Sequence, residues 1–159
     1  MLVMKHASKI YPGGAAALQD VNVHIKPGEF VFLVGPSGAG KSTFIKTISR
    51  EIELSSGQIF VDGVDVMKLR NDEIPYLRRQ LGIVFQDYRL LNDRTAFENV
   101  AFAMEVLHKS KRQIRKQVPQ ILSLVGITDK ADKYPDELSA GEQQRVAIAR
   151  AIILSLIHI

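Results

Sequence analysis

The stretch FVFLVGPSGAGKSTFIK, Phe30 to Lys46, decides the reading of this chain. An apolar run stops abruptly at closely spaced glycines. A lysine, a serine and a threonine then arrive just before apolar residues return at helical spacing. Glu29 to Val34 has the β-branched and aromatic content of a short buried strand, and Thr43 to Ile48 reads as the first turns of a helix that begins near Lys41. The loop between them is therefore a strand-to-helix turn. Gly35, Gly38 and Gly40 remove side chains where backbone N–H groups converge on one concavity, and the helix start adds the positive end of its dipole at the same place. Such a cup suits a phosphate group.

The spacing G-x-x-x-x-G-K-[ST] is met by Gly35, Gly40, Lys41 and Ser42. The whole loop, Gly35, Pro36, Ser37, Gly38, Ala39, Gly40, Lys41, Ser42 and Thr43, is expected to wrap the phosphates of a nucleoside triphosphate as a Walker A loop. Lys41 is placed to reach the β- and γ-phosphates, and the Ser42 hydroxyl can ligate magnesium. A glycine-rich turn with a chance lysine is the alternative; a strand before it and a helix after it weigh against that reading.

Bulk properties bound the rest. At 159 residues, with 46% hydrophobic and 24% charged residues, the chain can bury one sizeable core. Cysteine is absent, which excludes a disulfide framework and thiol chemistry. No apolar run approaches the roughly 20 residues that span a bilayer. The N-terminus, MLVMKHASKIYPGG, lacks the apolar stretch of a signal peptide, so the cytosol is the expected compartment. The net charge is +4, and HKSKRQIRK, His108 to Lys116, concentrates positive charge that suits either an anionic membrane surface or a plain exposed helix face.

Two textures follow one another along the chain. Residues 1 to 94 carry short strand-like runs, LVMKHASKIY, ALQDVNVHI, the run before the glycine loop, GQIFVDG and LGIVFQ, separated by turns such as KPGE. From Thr95 the pattern is helical. FENVAFAMEVL repeats apolar residues at helical spacing, Ser110 with Gln113 can form a capping box, and Ile114, Val118, Ile121, Leu122 and Val125 line one face before Gly126 stops the helix. Pro119 is expected to interrupt that helix.

Two further constellations narrow the field. LGIVFQD reads as a strand ending in Gln86, a neutral side chain able to orient a magnesium-bound water or coordinate the ion near the γ-phosphate. LSAGEQQRVAIARA, Leu138 to Ala151, places Ser139 and Gly141 at a helix start, where exposed N–H groups and a hydroxyl make another anion site or an ordinary N-cap. The order of glycine loop, glutamine after a strand, helical insert and L-S-x-G-E-Q-Q-R resembles the ATP-binding-cassette (ABC) ATPases, and the resemblance runs from residue 1 to about Ile153. Within that family, PYLRRQLGIVFQDYRLLNDRTAFENVAFAMEV is most similar to the cassettes of bacterial cell division; cassettes for lipoprotein release, macrolide export and methionine import share much of the pattern.

The resemblance implies an α/β P-loop NTPase fold, an ABC nucleotide-binding domain with a mixed β core, an antiparallel β flank and a helical subdomain. It would cover residues 1–153 incompletely, with 1–94 as the β/P-loop core and 95–153 as the helical part bearing the signature helix. It implies that Tyr11 stacks on adenine, that Lys41 and Gln86 serve catalysis, that Ser42 and Gln86 hold magnesium, and that Ser139 and Gly141 of one subunit face the ATP of another in a head-to-tail homodimer. The implied partner is an integral membrane protein, with no nucleic acid involved, which places the protein at the cytoplasmic face of the plasma membrane. A helix of that partner would dock near FQDYRLLNDRTAFENV, so Tyr88, Leu90 and Leu91 are expected to be partly exposed.

Two departures qualify the resemblance. Ala140 stands where the signature usually has glycine, which is expected to weaken a phosphate contact without abolishing it. The family would continue with a strand ending in an aspartate and a glutamate, then a switch histidine, and the sequence instead ends ARAIILSLIHI. The 159 residues alone are therefore expected to bind ATP without hydrolysing it. LSLIHI, residues 154–159, matches the translation of a transposon-end sequencing adapter and is expected to be an artefact of that origin.

Overall fold

Residues 1–157 are described by the computed structural model of the chain. The adapter reading of 154–159 extends to residues outside that range. The chain forms two compact units, Met1–Leu77 and Arg78–Ile159.

The first unit is built on β1 (Leu2–Ile10), β2 (Ala16–Ile25), β3 (Ser56–Val61) and the short β4 (Val64–Asp65), paired antiparallel in the order β2-β1-β3-β4. β1 pairs Met4 with Val23 on one side and with Ile59 on the other. Strict alternation would put Met4 and Ser8 on the same face and Ala7 on the opposite one. The register slips between Met4 and Ala7, where His6 (φ 49) and Asp20 (φ 46) adopt left-handed conformations and His6 Nδ1 lies 2.7 Å from Asp20 Oδ1. That bulge turns Ala7 inward, so Met4 and Ala7 are both buried. α1 (Lys41–Ile48) buries Thr43, Phe44 and Thr47, and an apolar groove of about 560 Å³ opens between α1, β2 and the run Val31–Val34.

Neither Glu29–Val34 nor Leu81–Gln86 forms the expected strand. Both are irregular, and Phe30, Phe32 and Val34 are 84%, 77% and 83% exposed. The reason is that a run apolar on both faces becomes a strand only when neighbouring strands satisfy both its edges and other elements cover it. Among the described residues the sheet contains β1 to β4 alone, and all of them are antiparallel.

The second unit is helical. α2 (Ile74–Gln80) straddles the division, and α3 (Ala96–Val106), α4 (Lys111–Leu124) and α5 (Ala140–Ile157) follow. Val100 and Met104 of α3, Val118 and Leu122 of α4, and Val146 and Ile153 of α5 form its core. Both helices α3 and α4 start in capping boxes, Thr95 with Glu98 and Ser110 with Gln113. Gly126 (φ 70) ends α4 in a Schellman arrangement, with Ile127 N–H on the Leu122 carbonyl at 3.0 Å and Gly126 N–H on the Ser123 carbonyl at 3.1 Å.

Pro119 does not interrupt α4, which runs unbroken through it. Its ring is on the exposed side, so the lost amide bond and the crowding fall where water can serve the freed Arg115 carbonyl. The division into units comes earlier in the chain than the change of texture at Thr95. The intervening segment packs with the helices: a Cβ on Gly82 would lie 2.6 Å from the Ala151 carbonyl of α5, and Leu90 packs against the helical core.

Candidate nucleotide site

The expected phosphate loop forms in the first unit as a glycine-cornered turn entering α1. Gly38 (φ 82) and Gly40 (φ 83) take left-handed conformations, and a Cβ on Gly40 would lie 2.1 Å from the Ala17 carbonyl. Only glycine fits there. Gly40 also occupies the N-cap of α1, with no capping side chain and no acidic residue in the first turn. α3 and α4, in contrast, close their N-termini with side chains. The start of α1 therefore presents its donors and its positive dipole end uncompensated, which fits an anion.

Lys41 Nζ folds back over this loop and donates to the Gly35 carbonyl at 2.6 Å and the Pro36 carbonyl at 2.7 Å. The ammonium thus stands over the concavity. Pro36, Ser37 and Ala39 are exposed around it, and Ser42 is exposed on the first turn of α1. Thr43 points the other way and is buried, with Oγ1 3.2 Å from the Tyr11 hydroxyl. That bond ties the residue after β1 to the loop. Tyr11 keeps its ring about one third exposed, with Lys9 Nζ 5.5 Å from the ring centroid.

Gln86, Ser139 and Gly141 belong to the second unit. Gln86 is exposed at the end of the irregular 81–85 segment. Tyr88 (φ 56) and Arg89 (φ 45) follow in consecutive left-handed conformations, a strained turn for residues with side chains. Arg150 of α5 holds it: its guanidinium donates to the Tyr88 and Arg89 carbonyls, each at 2.8 Å. Burial pushes the Arg150 pKa down from its ordinary value. Arg89 in turn stacks its guanidinium 3.8 Å from the Phe85 ring centroid.

A second clamp closes the far end of the same loop. Asn99 is fully buried; its Oδ1 accepts from Leu91 N–H at 2.8 Å, and its Nδ2 lies 2.9–3.0 Å from the Leu91, Arg94 and Thr95 carbonyls. Tyr88, Leu90 and Leu91 are half-buried on the segment so held. Sequence reasoning missed both clamps. Their signal was present, a lone Asn in the apolar stripe of FENVAFA and a lone Arg in the apolar VAIARAI.

Ser139 caps α5. Its hydroxyl donates to Glu142 Oε2 at 2.8 Å, its N–H donates to the same oxygen at 2.8 Å, and Glu142 N–H returns to Ser139 Oγ at 3.4 Å. The hydroxyl read as an anion donor is engaged within its own helix start. Ala140 and Gly141 are exposed, and a Cβ on Gly141 would meet nothing within 4 Å. Ser139's N–H, and then its hydroxyl, hold the Glu142 carboxyl below the usual carboxylate range. A lowered folded-state pKa contributes stability that is complete above the unfolded value and is lost as pH falls through the folded one. The cap should thus be intact at neutral pH and weaken on acidification below the ordinary glutamate range near 4.3. The Ser139 amide resonance should titrate with Glu142, and Glu142→Gln should remove that step.

No group of three or more His, Cys, Asp or Glu side chains is placed to hold a metal among the described residues, and no helix of the described residues is long and apolar enough to cross a membrane.

Comparison with known proteins gives concordant findings. The profile described as ABC transporter matches residues 18–156. The chain is 48% identical over 153 residues to the cell division ATP-binding protein FtsE of Streptococcus pneumoniae serotype 2, covering 96% of this chain and 66% of that protein. It is 52% identical to FtsE of Bacillus subtilis, again over 96% of this chain and 67% of the relative. FtsE of Escherichia coli K12 is 49% identical, with 96% and 69% covered. The chain thus spans about two thirds of the length of these curated relatives. Among solved structures it is similar to the dimeric cassette MJ0796 in a post-hydrolysis state bound to ADP and phosphate, at 37% identity and a TM-score of 0.89 over 96% of this chain and 69% of that one. The cassette cbiO1 of Clostridium perfringens, part of the ABC transporter complex cbiONQ, is similar at 32% identity and a TM-score of 0.84, over 96% and 61%.

Proposed function

From the premise that this chain belongs to the ABC transporter family, we propose that it carries the ATP-binding half-site of a cell-division cassette of the FtsE type, working with an FtsX-like integral membrane protein. The observation that supports this reading best is the uncapped start of α1, with Lys41 Nζ poised over the Gly35 and Pro36 carbonyls. In it Lys41 exchanges those two carbonyls for phosphate oxygens, while the N–H groups of Gly38 to Thr43 fix the phosphate chain. Tyr11, tied to Thr43, offers its ring to the base. Ser42 and Gln86 would hold magnesium, which supplies charge neutralisation at the phosphates; a hydroxyl and an amide suffice there because the phosphate oxygens complete the shell. Lys41 and Gln86 are the residues of this chain proposed for catalysis, the first by charge and the second by orienting water.

In the same proposal Ser139 and Gly141 approach the nucleotide of a second copy in a head-to-tail homodimer, and the Glu142 cap keeps that helix start in shape. Dimerisation would bring ATP hydrolysis. The membrane partner would place the assembly at the cytoplasmic face of the plasma membrane, docking on Tyr88, Leu90 and Leu91, which Arg150 and Asn99 keep preorganised. The test is magnesium-dependent phosphate release by the full-length protein co-purified with its membrane partner. Release should vanish in Lys41→Ala, and Leu90→Asp/Leu91→Asp should lose the partner while still binding ATP. The 159 residues alone should bind ATP and release phosphate at no measurable rate; release that disappears with Lys41→Ala in the 159-residue chain would contradict that part of the proposal.

A further inference from the structure

The exposed basic face of α4 has no role in the nucleotide reading. Lys111, Arg112, Arg115 and Lys116 are all exposed, and at about 100° per residue they fall within an arc of about 140°. α4 contains no acidic residue to balance them. None of the four side chains has a hydrogen bond, ion pair or ring contact among the described residues. Lys111 and Arg112 also sit in the first turn, where the helix dipole disfavours cations. Elsewhere on the surface Arg70, Arg94 and Lys133 each have a carboxylate partner.

We infer that this face of α4 docks on an anionic lipid surface, through the headgroup phosphates of the bilayer. The face offers unpaired positive charge to a surface of unpaired negative charge, and the four side chains reach one plane without needing a groove. Nucleic acid fits less well, because α4 carries no aromatic side chain on which a base could stack. The contact would add a direct lipid attachment to whatever the membrane partner provides. It does not depend on ATP binding.

Flotation with lipid vesicles in 50 mM salt tests this on the 159-residue chain. Vesicles of phosphatidylcholine with phosphatidylglycerol should carry the protein, and vesicles of phosphatidylcholine alone should not. Raising the salt to 500 mM should release it, since screening then acts within a few ångströms. Each basic residue at an anionic surface is worth about fivefold in partitioning, so the variant with Lys111, Arg112, Arg115 and Lys116 all changed to Gln should partition at least about 100-fold less. Changing Lys5, Lys26, Lys68 and Arg70 to Gln removes the same charge elsewhere and should keep most of the binding. Removing first-turn cations relieves the dipole, so the α4 variant should fold, as far-UV circular dichroism will report. Should it not, the pairs Lys111→Gln/Arg112→Gln and Arg115→Gln/Lys116→Gln carry the same test, each losing at least about tenfold. Equal losses in the α4 and control variants would overturn the inference, as would wild-type protein that ignores anionic vesicles. Binding of a 20-nucleotide strand but not of vesicles, lost in the α4 variant, would assign the face to nucleic acid and overturn it too.

Discussion

Replacing Lys41 by Ala should weaken ATP binding at least tenfold while leaving adenosine binding and the fold almost unchanged. Lys41 is the cation that folds over the glycine loop, donating to the Gly35 and Pro36 carbonyls. A charge-assisted contact to phosphate is worth about 1.5–3 kcal/mol, which sets the tenfold floor. The substitution leaves the Gly35 and Pro36 carbonyls without their donor, but both residues are exposed and water can take its place. Stability should therefore change by less than about 0.5 kcal/mol. Adenosine has no phosphates for Lys41 to reach. Calorimetric titration of both ligands against both proteins separates the possibilities, and an equal loss for adenosine and ATP would mean that the substitution damaged the unit rather than the contact.

The largest expected stability effect lies in the other unit. Asn99→Ala leaves the Leu91 N–H and the Leu91, Arg94 and Thr95 carbonyls without the side chain that now meets them all. Asn99 is fully buried, so water does not substitute readily. A buried polar group left unsatisfied costs about 1–3 kcal/mol, and several are affected, so a loss of about 3 kcal/mol is expected. For a unit of this size that lowers the melting temperature by more than about 10 °C. Thermal unfolding followed at 222 nm reads it directly. A shift of only a degree or two would show that the 91–95 loop holds without its clamp.

Local signals made much of this legible in the sequence. The strands β1 and β2, the cap pair Ser110–Gln113, the stop at Gly126 and the glycine loop entering α1 each depend on residues close together in the chain, and each is found where the pattern puts it. The runs at Phe30 and Leu81 failed as strands because strand formation depends on neighbours that composition does not reveal. Pro119 was misread because its cost depends on which side of the helix it faces. At the proposed site, spacing and resemblance single out Lys41, Ser42 and Tyr11. The bond from Tyr11 to Thr43 was not legible, since it joins residues 32 positions apart that only folding brings together. Asn99 and Arg150 escaped for the same reason: each is one polar residue among the apolar positions of its helix, and only the folded loop at 88–95 shows what it holds.

The claim that the loop from Gly35 to Thr43 is a nucleotide cup is tested most directly by amide chemical shifts during titration with magnesium and ATP. The largest changes are expected at Gly38, Gly40, Lys41 and Ser42, with Tyr11 moving for both ATP and adenosine and the loop moving for ATP alone. Saturable ATP binding that shifts amides elsewhere and leaves Gly38 to Ser42 in place would contradict it.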